Sequence, residues 1–253
     1  MTAALPGGPA RTRRVWPLLL ASGIVLAILL VLGTWQVERL AWKEGLLAEI
    51  AERTAAAPGD LATVEARFRE TGDVEYWPIT VSGTFEHAGE RHFFATYAGQ
   101  SGYNVYTPLR LADGRALLVN RGFVPFELKD AAKRGEGQVT GPVTITGLAR
   151  NPLAAKPSVV VPDNDPAANI FYWKDRDTMA SSVGLATGDG LVPFFVDAGP
   201  GRAPGGWPVG GVTIIDLPNN HLQYAVTWYG LAFALVGVVG YWLWNGRRRS
   251  PAP

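Results

Sequence analysis

Two apolar runs of membrane length, one near each end of the chain, constrain this sequence more than anything between them. From Val15 to Val37 there is no charged residue, and as a helix the stretch WPLLLASGIVLAILLVLG covers about 27 Å, close to the hydrocarbon thickness of a bilayer. From Leu217 to Gly246 the chain is again free of formal charge. Arg11, Arg13 and Arg14 precede the first run and Arg247, Arg248 and Arg249 follow the second. The positive-inside rule therefore puts both termini in the cytoplasm and the intervening chain across the membrane. Trp16 and Trp35 stand at the ends of the first run, and Trp228, Tyr229, Tyr241, Trp242 and Trp244 decorate the second, as expected of rings anchored at headgroup depth. A cleaved signal peptide would be shorter and end in an A-x-A-like site, whereas LGTWQVERLAWK follows here. A buried core helix could account for one such run, hardly for two with matched arginine flanks.

The expected division is a cytoplasmic tail over 1–14, a span over 15–37, a periplasmic β-rich domain over 38–218, a second span over 219–245 and a cytoplasmic tail over 246–253. All 22 acidic residues fall between the two runs, against 17 lysines and arginines there, so the enclosed segment is net acidic and a nucleic-acid partner is disfavoured. Its roughly 180 residues suit one domain. The absence of cysteine removes disulfides, thiolate metal sites, C-x-x-C redox chemistry and C-x-x-C-H haem attachment together. The tail MTAALPGGPARTRRVW leaves no room for a long amphipathic presequence, which favours a bacterial inner membrane over a mitochondrial one.

Past the first run, Gln36 to Arg53 keeps helical spacing through Leu40, Leu46, Leu47 and Ile50, which predicts a helix continuing out of the membrane. Pro58 and Gly59 interrupt it, and Asp60 caps a further short helix to Arg69. From Tyr76 the period becomes two. Ile79 to Phe85 and His92 to Tyr97, joined by HAGE, read as a hairpin, and Val105 to Leu111 with Ala116 to Val119 as a second around Asp113-Gly114. Val143 to Leu148, Leu191 to Asp197 and Val212 to Ile215 read as further strands. Asn151 to Gly190 reads as a long irregular stretch with one helical turn near Asp175 to Met179, and Gly199 to Gly211 as a mobile loop. The fold expected is two transmembrane helices enclosing one mainly-β extramembrane domain, an antiparallel barrel or sandwich with minor helix. No internal repeat or heptad seam stands out.

Chemistry is sparse. GPGRAPGG lacks the flanking strand and helix of a phosphate loop, and neither G-x-S-x-G nor H-E-x-x-H occurs, so no enzyme is expected. His87 and His92 bracket a turn beside Glu86 and Glu90, too few convergent ligands for a convincing metal site. His221 stands where the second span begins, with Tyr224, Ala225 and Trp228 three, four and seven residues on. Its imidazole could be an axial ligand to haem iron, with the macrocycle against Tyr224 and Trp228, or an interfacial residue that only hydrogen-bonds. On the first helix Gln36, Arg39 and Lys43 share a face beside Trp35 and Trp42; these cations suit haem propionates and equally suit lipid phosphate.

Three segments, GTWQVERLAWKEGLL, VNRGFVP and NNHLQYAVTWYGLA, are together similar to the surfeit locus protein 1 family of cytochrome c oxidase assembly factors. Trp35, Gln36, Arg39, Trp42 and Lys43 match the first family motif, Asn120, Arg121, Gly122 and Pro125 the second, and His221, Tyr224, Thr227 and Trp228 the third. Phe123 stands where many relatives have tryptophan. The resemblance implies a factor that binds haem a at the outer membrane surface and assists its insertion into the catalytic subunit of a haem-copper oxidase. His221 would then be the iron ligand, Tyr224 and Trp228 would line the cofactor, and Arg39 and Lys43 would pair its propionates. Haem a synthase and membrane lipid are the other partners it suggests. The alternative is a scaffold that stabilises the catalytic subunit without holding haem. Gly122 and Pro125 read as turn-makers, and Arg121 as paired either with a buried carboxylate of the domain or with a partner subunit.

Overall fold

A computed structural model describes residues 15–213, 215 and 218–248. The tail 1–14, with its three arginines, and residues 249–253 lie outside the described residues. The chain divides into two units, one holding both apolar runs and the other spanning Ala48–Asp216.

In the first unit, α1 (Trp16–Ala55) is one unbroken helix whose last turns belong to the second unit, and α2 (Leu61–Thr71) and α3 (Arg176–Ser181) lie wholly in the second; the other membrane-length helix is α4 (His221–Arg248). Only 6% of the most apolar window of either helix is buried. That exposure rules out the core helices of a soluble protein and fits surfaces that face lipid. The residues shielded from solvent include, on α1, Ser22, Leu26, Leu29, Gly33, Gln36, Leu40 and Lys43 and, on α4, His221, Ala225, Trp228, Ala232, Leu235, Val239 and Trp242, with Leu32 on α1 and Leu243 and Asn245 on α4 shielded beside them. Both series advance alternately by three and four, the spacing of a coiled-coil seam, which the residue types hid because glycine, alanine and polar side chains interrupt its large apolar positions. Gly33 lets the ring of Tyr229 close in: a Cβ there would sit 2.9 Å from it. Thr34 and Tyr229 share a hydrogen bond at 3.1 Å. Small residues and interhelical hydrogen bonds hold such pairs where the hydrophobic effect offers nothing.

In the second unit, α2 (Leu61–Thr71) begins as expected: the Asp60 carboxylate accepts from Thr63 N at 2.8 Å. It ends at Gly72, left-handed at φ 69°, whose N–H bonds Phe68 O. Eight strands follow: β1 (Pro78–Phe85), β2 (Arg91–Tyr97), β3 (Gln100–Arg110), β4 (Ala116–Pro125), β5 (Pro142–Arg150), β6 (Phe195–Ala198), β7 (Gly201–Arg202) and β8 (Val209–Gly210). They form one sheet in the order β2-β3-β1-β5-β6-β4-β8-β7, and a further β3–β4 ladder closes a circuit of pairings through β3, β1, β5, β6 and β4. All pairings between strands are antiparallel except β4–β6.

The sequence expectations hold in part. The Asp113-Gly114 hairpin joins β3 to β4 as expected, and α3 (Arg176–Ser181) is capped by Asp175. The first hairpin is corrected: β1 pairs with β3 and β5, while β2 turns back through Ala98-Gly99 onto β3. Both loop residues have positive φ, as two-residue hairpins demand. HAGE instead makes a 3-10 turn. Val212 and Thr213 are not strand, and Ile214 lies outside the described residues. Gly199–Gly211, expected as a mobile loop, carries β7 and β8, which pair Gly201 with Gly210 and Arg202 with Val209.

β4 is central because it is apolar at successive positions. Leu117 and Val119 enter a cluster with Val64, Ile79, Leu109 and Phe194, while Leu118 enters another with Tyr106, Phe171 and Phe195. A strand buried on both faces reads as a continuous hydrophobic run rather than an alternation.

Candidate functional site

His221 opens α4 and is half-buried against α1. Its Nδ1–H donates to Oε1 of Gln36 at 2.7 Å, and Gln36 is 8% exposed. In a neutral imidazole that donation leaves the lone pair on Nε2, which has no hydrogen-bond partner among the described residues. Lys43, two turns along α1 from Gln36, donates its Nζ to the carbonyl of Pro218, just before α4. Arg39 is exposed and lays its guanidinium over the Trp42 ring, 3.7 Å from the centroid. Trp228 is half-buried two turns into α4, and its indole N–H is buried with no acceptor among the described residues. Tyr224 is exposed, with 53% of its surface free.

The expected face thus divides. His221, Gln36 and Trp228 lie on the seams of the helix pair; Tyr224 turns outward on α4, and Arg39 outward on α1. Lys43 is engaged with backbone, while Arg39 is exposed and makes no ion pair among the described residues. Among the described residues, no group of three or more His, Cys, Asp or Glu could hold a metal ion. One imidazole is too small a donor set for a bare ion, yet it suffices for iron that already carries four macrocycle nitrogens. The residues present fit haem in that sense.

The second motif belongs to the second unit, where its polar atoms are spent on structure. Asn120 donates its amide to Asp197 at 2.9 Å and accepts from Gly122 N at 3.0 Å. Asp197 also accepts from Arg150 at 2.8 Å and Thr213 at 2.7 Å, and Arg150 reaches Glu75 at 2.8 Å. Arg121 donates to the buried carboxylate of Glu90 at 3.1 Å, to His87 Nδ1 at 3.2 Å and to the Gly137 carbonyl. The intradomain alternative for Arg121 is therefore the one realised. Gly122 is not a turn-maker but lies within β4 at φ 119°, where a Cβ would stand 1.9 Å from Val209 O. Glycine there admits β8.

Glu90 carries Arg134 as well, through both carboxylate oxygens. Burial raises its pKa, but the hydrogen bond and charge of Arg134 and then the charge of Arg121 outweigh it and leave the carboxyl below its usual range. His87 donates Nε2–H to the Val139 carbonyl at 2.8 Å. His92 is 6% exposed, and neither ring nitrogen has a hydrogen-bond partner among the described residues; burial above all takes its pKa down to about 4. A cavity of about 560 Å³ lies beside this cluster, lined in part by His92, Phe126, Lys129 and Asn169. Sequence reading noticed both histidines yet missed Arg134 as Glu90's partner, since 44 residues separate them and no motif links them.

A family profile described as the SURF1 family matches residues 23–233. Surfeit locus protein 1 of Xenopus tropicalis is 39% identical over 220 residues, 80% of this chain and 68% of that protein. The human protein of the same name is 38% identical over 221 residues, 80% of this chain and 70% of its own. A SURF1-like protein of Monosiga brevicollis is 37% identical over 232 residues, 87% and 85% of the two chains.

Proposed function

The chain belongs to the SURF1 family, and from that premise we propose that it is a membrane-bound assembly factor for cytochrome c oxidase that holds haem a through His221 and releases it to the oxidase catalytic subunit. Family membership supports the assembly role, which is that of a carrier rather than a catalyst. The haem reading rests on one observation: His221, at the start of a membrane-length helix, has its Nδ1–H bonded to Gln36 while Nε2 is left without a partner. Metal-ligating histidines are held in this way, with the second nitrogen fixed by a hydrogen bond.

Haem a would enter as cargo, and its iron would supply the acceptor for the Nε2 lone pair. Arg39, exposed on α1, is placed to meet a propionate by a charge-assisted pair. The lone donor of Trp228 costs about 1–3 kcal/mol where it is buried, a cost that an acceptor on the cargo would relieve. Tyr224 and the exposed flank of α4 offer apolar surface to a macrocycle. The arginine pattern around the two runs supports an orientation with both termini on the cytoplasmic side and the β-domain across the membrane; charge sets that orientation and not the organism, and the relatives named above are eukaryotic, so the bacterial inner membrane is part of the proposal.

The test is the visible absorption spectrum of the full-length protein purified in detergent from a host that makes haem a, for wild type and His221→Ala. A haem a spectrum lost in the variant at equal protein yield supports the carrier. A wild type that purifies without haem yet captures the oxidase subunit overturns it in favour of a scaffold.

A further inference from the structure

We propose that Gln36 is a positioning residue for His221: by accepting Nδ1–H it fixes the imidazole tautomer and ring plane, so that Nε2 is the nitrogen offered to an incoming metal. The inference deepens the haem reading given above and rests on it for its purpose, though not for its geometry. A free imidazole places its proton on either nitrogen, and a ring with the proton on Nε2 cannot ligate through that atom. Here Nδ1 and Gln36 Oε1 are 2.7 Å apart, and a side-chain carbonyl oxygen can only accept. The bond therefore holds the proton on Nδ1.

Gln36 is itself held. It is 8% exposed, one helical turn along α1 from Gly33, where the ring of Tyr229 closes in and Thr34 bonds Tyr229 at 3.1 Å. Beyond it, Lys43 fastens the Pro218 carbonyl just ahead of α4. The acceptor for His221 thus stands between two other attachments of α4 to α1, so the ligand is oriented only while the helices are paired. A neutral amide suits this position better than a carboxylate would. It takes the proton's hydrogen bond without placing a net charge in a buried contact between two apolar helices, where an ion is costly.

The experiment uses the full-length protein in detergent, labelled with 15N-histidine, as wild type, Gln36→Leu and Gln36→Glu. Without haem, ring nitrogen shifts should report the Nδ1–H tautomer of His221 in wild type and Gln36→Glu, and a mixture in Gln36→Leu. With haem a added, Gln36→Leu should bind about 10-fold or more weakly, the usual loss when an outer hydrogen bond to a ligating histidine is removed. Gln36→Glu should keep binding and, read at a pH high enough to ionise a carboxyl that burial disfavours as an anion, move the iron to a more negative reduction potential, because an anionic acceptor makes Nε2 a stronger donor. A helix merely packed by Gln36 would lose affinity in both variants without these tautomer and potential shifts. An Nε2–H tautomer in wild type, or an unchanged tautomer in Gln36→Leu, overturns the proposal. Haem that fails to bind wild type, with the tautomer shifting as expected, refutes the haem reading while Gln36 keeps its positioning role.

Discussion

Mild acidification should destabilise the β-domain through a single side chain. His92 sits on β2 with its ring edge-on to Tyr103, centroids 5.6 Å apart, and neither nitrogen is bonded. Burial lowers its pKa from 6.5 to about 4; Glu90 and the nearby side chain of Asn169, which bonds the His92 backbone N–H, pull it back up, while Arg134 and Lys129 push it further down. Because the folded value lies below the unfolded one, the unfolded chain takes up the proton first. The contribution is fully present above pH 6.5 and is lost as pH falls from there toward 4. At about 1.4 kcal/mol per unit, this amounts to a loss of about 2 kcal/mol at pH 5 and about 3 kcal/mol at pH 4. His92→Phe keeps the edge-on contact and removes two unpaired polar atoms, so at pH 7 it should cost nothing or stabilise by up to about 2 kcal/mol. The assay is urea unfolding of the full-length protein in detergent at pH 7 and pH 5, wild type against variant. The gap between them should widen by about 2 kcal/mol on acidification. Parallel losses in the two proteins would refute the argument, since any other group titrating in that window acts equally on both.

Three further outcomes follow from the same unit. Glu90→Gln strands Arg134 and Arg121, whose side chains are 2% and 6% exposed, and should cost about 3–5 kcal/mol; Glu86→Gln, which breaks the exposed pair with Arg110, should cost no more than about 1 kcal/mol. Equal urea midpoints for the two variants would contradict this. Gly122→Ala puts a methyl 1.9 Å from Val209 O at φ 119°, and should lose about 3 kcal/mol or more by expelling β8, visible as fast amide exchange at Val209 and Gly210. Arg150→Met leaves Asp197, 4% exposed, without its cation and should cost about 3–5 kcal/mol in the same unfolding assay.

What the sequence disclosed depended on how far along the chain the relevant partner lay. The Asp60 cap, the Asp113-Gly114 hairpin and the helical turn after Asp175 were legible because each is completed within four residues. The pairing of β1 was not. HAGE looked sufficient to return the chain, but β1 takes β5 as its main neighbour, with Ile79 opposite Gly147 and Val81 opposite Ile145, and alternation alone does not name a partner strand. β7 and β8 were hidden by glycine and proline, since two-residue ladders have too little period to detect. The seam between the membrane-length helices was missed for a related reason. A search for apolar heptads looks for large side chains, whereas helices paired in lipid approach through Gly33, Ala225 and Ala232 and through polar contacts such as Gln36 with His221.

The three motif segments differ in what their polar atoms have left to offer. In the second, both polar ends of the Asn120 amide and both terminal nitrogens of Arg121 find partners inside the domain, so these side chains secure β4. In the first and third, the bonds are incomplete. Among the described residues, Gln36 satisfies one nitrogen of His221 and the other has no partner, Lys43 is tied to backbone, and Arg39 lies over an aromatic face without an ion pair. A polar group kept at membrane depth is costly unless paired. One whose pairing is left half made, beside an unmatched indole donor, gains most from a ligand that completes it. That asymmetry, rather than the presence of a histidine, is what directs the haem reading to the head of α4.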